Sequence, residues 1–167
     1  RIIRIMKVLT SVVNNIDFIE IQYHTLKKYL KCDYEFIVFN DAKDFPHYTN
    51  DGDITIKKQI EDLCKSLNIQ CINVPNDEQR FEPQEYSWQI QKIACERTAC
   101  TMNFILNFQT KNPDKYLILD SDMFLVDYFN PEQYENCDFA MVPQERINPE
   151  TNFVYNYMWN GLVYLDF

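Results

Sequence analysis

The chain has 167 residues, 46% apolar and 15% aromatic, with 16 basic side chains against 25 acidic ones and a net charge of −9. That length and apolar content suit one domain with its own core and leave no room for a long disordered tract. An acidic chain without a basic stripe is a poor nucleic-acid binder and gains no attraction to anionic lipid, so an anionic ligand here needs a cation beside it.

The elements follow in chain order. Arg1 to Val13 is basic and rich in β-formers, and it runs into Asn14-Asn15 without a small-residue cleavage site, so it reads as a first strand over 5–13 and not as a signal peptide. Asp17 and Glu20 have capping-box spacing. Ile19, Tyr23, Leu26 and Leu30 then mark one face of a helix. Tyr34 to Phe39 is a second strand ending at Asn40-Asp41, and Phe45 to Asp53, with Pro46 and Gly52, is a loop. Asp53 or Thr55 caps a second helix with Ile56, Ile60, Leu63, Cys64 and Leu67 on its face. Ile69 to Val74 is a third strand, closed by Pro75, and the polar stretch 76–85 reads as mobile. Ser87 opens a long helix to about Asn107, a strand over 116–119 follows, and 138–142 and 161–166 are two more strands. This alternation predicts an α/β fold with a mostly parallel central sheet flanked by helices. Right-handed crossovers would put the strand ends at Val13, Asp41 and Asp120 along one edge.

Other classes drop out. No apolar run reaches membrane-span length. Two glycines, Gly52 and Gly161, exclude a Walker loop and the G-x-G-x-x-G dinucleotide fingerprint. Six cysteines without C-x-x-C or metal spacing read as small apolar fillers in a reducing compartment, which predicts a cytoplasmic protein. The wealth of Asn, Ile, Lys and Tyr hints at an AT-rich genome such as that of a large DNA virus, and then at the host cytoplasm. The apolar ending Leu162 to Phe167 reads as a strand cut short, hence as a C-terminally truncated chain.

The strongest chemical signal is Tyr116-Leu117-Ile118-Leu119-Asp120-Ser121-Asp122-Met123. A short continuous apolar run reads as a strand buried on both faces. Two acids cannot share that burial without a partner, so they belong where the strand leaves the sheet. Open α/β sheets bind ligands at that end. A pair of hard oxygen ligands there suits Mn²⁺ or Mg²⁺. A second Asp-x-Asp, Asp51-Gly52-Asp53, lacks the strand, and Lys58 stands where an EF-hand needs a bidentate Glu, so it reads as turn and cap.

With Phe124 added, the Asp120–Asp122 segment resembles the D-x-D strand of nucleotide-sugar glycosyltransferases of the Rossmann-like GT-A fold. Val8 to Asn14 resembles their first strand, Phe36 to Asp41 their second, and the helix with Arg97, Thr98, Met102 and Asn103 the one leading into the D-x-D strand. Asn160 to Asp166 is similar to the later strand that borders the acceptor site. The resemblance implies a UDP- or GDP-linked sugar donor, a glycan or protein acceptor, and a Mn²⁺ or Mg²⁺ held by Asp122, with Asp120 assisting or bonding the ribose. It implies donor contacts from Thr10, Ser11, Asn14, Asp41 and Arg97. A single domain over 1–167 would carry its nucleotide part in 1–122 and the start of an acceptor part in 123–167. The general base stays unassigned, with Glu145, Glu150 and Asp166 as the acids available.

Each residue also has a plainer reading. Asp120 and Asp122 could cap a turn, Asp41 could close an Asx-turn, and Thr10, Ser11 and Asn14 could satisfy backbone groups. Arg97 could pair with a nearby acid, and Asn160-Gly161 could be a turn before a strand. Trp88 and Trp159 read as core or interface, and His24 and His47 lack metal-ligand company. Two other functions fit in part. A haloacid-dehalogenase-like phosphatase also places D-x-D after an apolar strand, although Met123-Phe124 stands where Gly-Thr is usual there. The other is a non-catalytic nucleotide-binding fragment.

Overall fold

The computed structural model describes residues 4–44, 53–75 and 94–167. Among them are strands β1 (Met6–Val12), β2 (Tyr34–Asn40), β3 (Gln70–Asn73), β4 (Lys115–Leu119), β5 (Phe139–Ile147) and β6 (Val154–Asp166). The helices among the described residues are α1 (Asp17–Tyr29), α2 (Ile56–Ser66) and α3 (Ala94–Lys111), and a 3₁₀ turn spans Pro131–Tyr134. The loop over 45–52 with His47 and Asp51, the stretch 76–85, Trp88 and the helix start at Ser87 lie outside the described residues. So do the side chains of Cys95, Trp159 and Asn160.

The strands form one sheet in the order β3-β2-β1-β4-β6-β5. Pairs β2–β3, β1–β2 and β1–β4 are parallel, while β4–β6 and β5–β6 are antiparallel. The fold is α/β as expected, but the sheet is mixed and not mostly parallel. The chain explains why. Parallel neighbours need a crossover of a dozen or more residues, and α1, α2 and α3 supply those. Between β5 and β6 lies only the turn 148–153, where Asn148 Oδ1 accepts from Glu150 N at 2.9 Å, and a turn can join only antiparallel strands.

Alternation along the central strands divides the core. Val8, Val38, Leu117 and Leu119 face a cluster with Ile19 and Leu26 of α1 and Ile60 and Cys64 of α2. Leu9, Ile37, Tyr116 and Ile118 face another with Ile105 of α3. Helices therefore cover both faces, and each buried Leu or Ile contributes roughly 1.5–3 kcal/mol. None of the described helices is long and apolar enough to cross a membrane.

Several local expectations change. The capping box does not form: Asp17 is the first helical residue, Ile16 precedes it without a side-chain cap, and Asn15 Oδ1 accepts from Asp17 N at 3.0 Å. Thr55 is the residue before α2 but makes no side-chain cap, whereas Asp53 Oδ1 accepts from Thr55 N at 2.8 Å. The last two strands reach well past 138–142 and 161–166 and join into one long hairpin. Residues 123–167 carry both of its strands, and these belong to the same sheet as the strands of 1–122. Among the described cysteines Cys64 is buried and Cys137 exposed, so they are not all fillers.

Candidate functional site

In the order β3-β2-β1-β4 the chain moves outward from β1 in two directions, so the strand order reverses between β1 and β4. Crevices at the carboxyl ends beside such a reversal are where open α/β sheets bind ligands. A cavity of about 190 Å³ lies there, lined by Ser11, Asn14, Asp41, Arg97 and Asp120 among others. The strand register aligns the ends that build it: Val12 stands opposite Asn40, Asp41 N donates to Val12 O at 2.8 Å, and Thr10 stands opposite Leu119. A larger open groove of about 760 Å³ runs along the opposite edge, at the starts of β2 and β3. Among the described residues Lys27 and Glu35 are its charged lining side chains, and it lies away from the strand reversal. The smaller cavity, where Asp41, Arg97 and Asp120 bring charges from three segments together, is the candidate site.

Two expected residues fall outside that lining. Thr10 is fully buried, and its hydroxyl finds no hydrogen-bond partner. Asp122 is exposed, one residue beyond the wall at Ser121. Both acids of the pair sit in a turn closed by Met123 N donating to Asp120 O at 3.0 Å, with Asp120 Oδ1 accepting from Ser121 N at 2.9 Å. The plainer reading of the acids as turn residues is therefore realised, and it leaves their remaining oxygen lone pairs available. Gln22, buried on α1, donates from Nε2 to the carbonyls of Asp120 (2.8 Å) and Met123 (3.0 Å) and so fixes this turn from below. Its position between Ile19 and Leu26 on the apolar face was the available signal, because a polar residue at a core position needs a partner.

Asp41 closes β2 and is buried with Lys43. Lys43 Nζ donates to Asp41 Oδ1 at 3.2 Å and to Val74 O at 2.8 Å, and Thr101 of α3 donates to Asp41 Oδ2 at 2.8 Å. Burial raises the Asp41 carboxyl above its ordinary value, opposed by Lys43, by the Thr101 hydrogen bond and by Arg97. Burial lowers the Lys43 ammonium, opposed by Asp41. The Asx-turn expected at Asp41 forms one residue earlier, with Asn40 Oδ1 accepting from Ala42 N at 3.1 Å. Asp41 lines the cavity, but its carboxylate accepts from Thr101 of α3 and from Lys43, which in turn reaches Val74 just past β3. Nothing in the sequence pattern marked Lys43.

β6 borders the same place. Asp120 N donates to Gly161 O at 3.0 Å, which continues the antiparallel register beyond Leu119 and Leu162. Gly161 is thus inside a strand, not in a turn before one. Directly opposed residues of an antiparallel pair project to the same face, so the missing Cβ of Gly161 leaves space beside the Asp120 side chain. The β5–β6 pairing also shifts register here: Val142 pairs with Trp159 but Met141 with Val163. Such irregularities re-aim chains next to functional sites.

Among the described residues no three or more His, Cys, Asp or Glu side chains gather into a metal cage. Asp120 and Asp122 nonetheless suit Mg²⁺ or Mn²⁺, which are held by one or two carboxylates plus substrate phosphates instead of an all-protein cage. The oxygen-only donor pair excludes a thiophilic metal. A scan of protein-family models and a search of curated proteins find no match to this chain.

Proposed function

We propose that the chain is a metal-dependent glycosyltransferase of the GT-A type, or its donor-binding part, moving a sugar from a UDP- or GDP-linked donor to a glycan or protein acceptor. One observation carries this reading. Ser11 and Asn14 from the end of β1, with Asp41, Arg97 and Asp120 from three other segments, line one cavity at the carboxyl edge beside the strand reversal. A divalent cation held by Asp122 and Asp120 would offset the negative charge that grows on a departing diphosphate. Arg97 supplies the cavity's fixed positive charge, and Ser11 and Asn14 offer neutral hydrogen-bonding groups of the kind that orient a nucleoside. Asp41 keeps its neighbours in place in this reading, and Gln22 holds the Asp120–Met123 turn rigid, as a binding site requires.

The test is a panel of UDP- and GDP-sugars incubated with the protein and Mn²⁺, with release of nucleoside diphosphate as the readout. Release from at least one donor, abolished by EDTA and by Asp122→Asn, is the expected result. Release of inorganic phosphate from simple phosphate esters instead would replace the reading with a phosphatase. Nucleotide binding without any release would reduce it to a binding domain.

A further inference from the structure

On the far side of β2 from the cavity, two cysteines meet. Cys64 lies in the last turns of α2 and is fully buried in the cluster that contains Val38. Helix α2 closes at Leu67, Asn68 turns left-handed at φ 56°, and Ile69 N donates back to Cys64 O at 2.8 Å. Asparagine is among the few residues that accept this conformation without glycine's freedom. The turn drops the chain directly into β3, where Cys71 pairs with Val38 of β2. Paired residues on neighbouring strands share a face, so Cys71 projects toward the layer that holds Cys64 and packs against the same cluster. The strand register and the shared cluster thus bring the two thiols together on one face of the sheet.

The pair is asymmetric. Cys64 has no exposure, whereas Cys71 on the short outer strand is half-buried. Negative charge is costly where solvent is absent, so the thiolate belongs on Cys71 and the proton stays on Cys64. The Cys71 thiol is accordingly lowered by the Cys64 hydrogen bond, and Cys64 is raised by the same bond and by burial. A partly exposed thiol beside a second, buried thiol that can resolve it is the arrangement of peroxide-sensitive cysteines. By contrast, burial and the acids Glu132 and Asp33 push the Cys32 thiol up to about 11.

We infer that Cys71 and Cys64 form a reversible oxidation site, with Cys71 as the group attacked by a hydroperoxide and Cys64 as its resolving partner. Cys71 thiolate attacks a peroxide oxygen, the O–O bond breaks, and Cys71 becomes a sulfenic acid while hydroxide leaves. Cys64 sulfur then displaces the sulfenic oxygen, the S–O bond breaks, the S–S bond forms, and the Cys64 proton leaves with that oxygen as water. Overall two thiols are oxidised by two electrons, and one hydrogen peroxide is reduced to two waters. The bond would clamp α2 to β3. Those elements carry Lys57 O, which accepts from Asn40 Nδ2 at 2.9 Å, and lead into Val74 O, which accepts from Lys43. Oxidation would therefore stiffen the support beneath Asp41.

The test treats the full chain with hydrogen peroxide, blocks remaining thiols with an alkylating agent in denaturant, and maps the peptides by mass spectrometry without reduction. The expected result is loss of alkylation at Cys64 and Cys71 alone of the six cysteines, a linked peptide pair two hydrogens lighter than its reduced parts, and full recovery with dithiothreitol. In Cys71→Ser, Cys64 should stay alkylated after peroxide. Should that variant misfold, the wild-type peptide map decides by itself. Sulfinic acid on Cys71 with Cys64 still free, or a disulfide through Cys137 with both thiols intact, would overturn the inference.

Discussion

Strands β1, β2 and β4 are covered on both faces, whereas the outer hairpin of β5 and β6 stands largely in solvent, with Ile147 61% and Phe153 66% exposed. The first region gains its stability from apolar burial, and it can tolerate a buried ion pair only because hydrogen bonds complete it. The hairpin relies on local cross-strand contacts instead: Tyr157 OH bonds to Gln144 Oε1, and the Arg146 guanidinium lies 4.7 Å from the Tyr157 ring centre. The candidate cavity sits where the two regimes meet, at Asp120 and Gly161. Chemistry belongs at such a seam, since only there can charged groups be held rigidly and still reach solvent.

The contrast breaks most visibly at Lys43. Replacing it by Met leaves the buried Asp41 carboxylate without its paired cation, a loss of about 3–5 kcal/mol in denaturant unfolding. Asp41→Asn combined with Lys43→Met should recover much of that loss. Leu117→Ala in β4 should cost roughly 2–5 kcal/mol. Ile147→Ala in the hairpin should fall within about 0.5 kcal/mol of wild type. Comparable losses at Leu117 and Ile147 would mean that the hairpin is buried in the working protein.

The same contrast explains what could be read from the sequence. Leu117 to Leu119 and Phe36 to Phe39 were legible because double-sided burial demands unbroken apolar runs. The hairpin was not legible past 142, because Pro143, Gln144 and Glu145 interrupt any period-two pattern on a ribbon with no core face to specify. In the site, Ser11, Asn14, Arg97 and Asp120 were legible from strand ends and one charged position on a helix. Lys43 was hidden because its burial arises only when Val74, distant in sequence, supplies a carbonyl. Thr10 was placed on the ligand side by the resemblance of Val8 to Asn14 to a nucleotide-contacting strand, and strand alternation carried it into the sheet.

Smaller effects sharpen the seam. Gln22→Leu removes two hydrogen bonds to the Asp120–Met123 turn and should cost roughly 1–3 kcal/mol. Gly161→Val should leave the fold intact in circular dichroism yet weaken nucleotide binding by crowding Asp120. Unchanged binding would show that the space beside Gly161 is not used. The smallest effect is in pH dependence. The folded Asp41 carboxyl lies above its ordinary value near 3.8, so between those two values the folded chain holds a proton that the unfolded chain has released. This group's stabilisation is full below pH 3.8 and is lost as pH rises through the folded value. The stability difference between wild type and Asp41→Asn, read from melts across acidic pH, should therefore shrink with rising pH in that window. A growing difference would contradict the assignment.

Calorimetric titration of UDP and GDP into wild type and Asp122→Asn, each with and without Mn²⁺, tests the central claim most directly. The expected result is binding that is clearly tighter with Mn²⁺ in wild type for at least one nucleotide, with that gain lost in Asp122→Asn. Equal affinity in all four conditions for both nucleotides would contradict it.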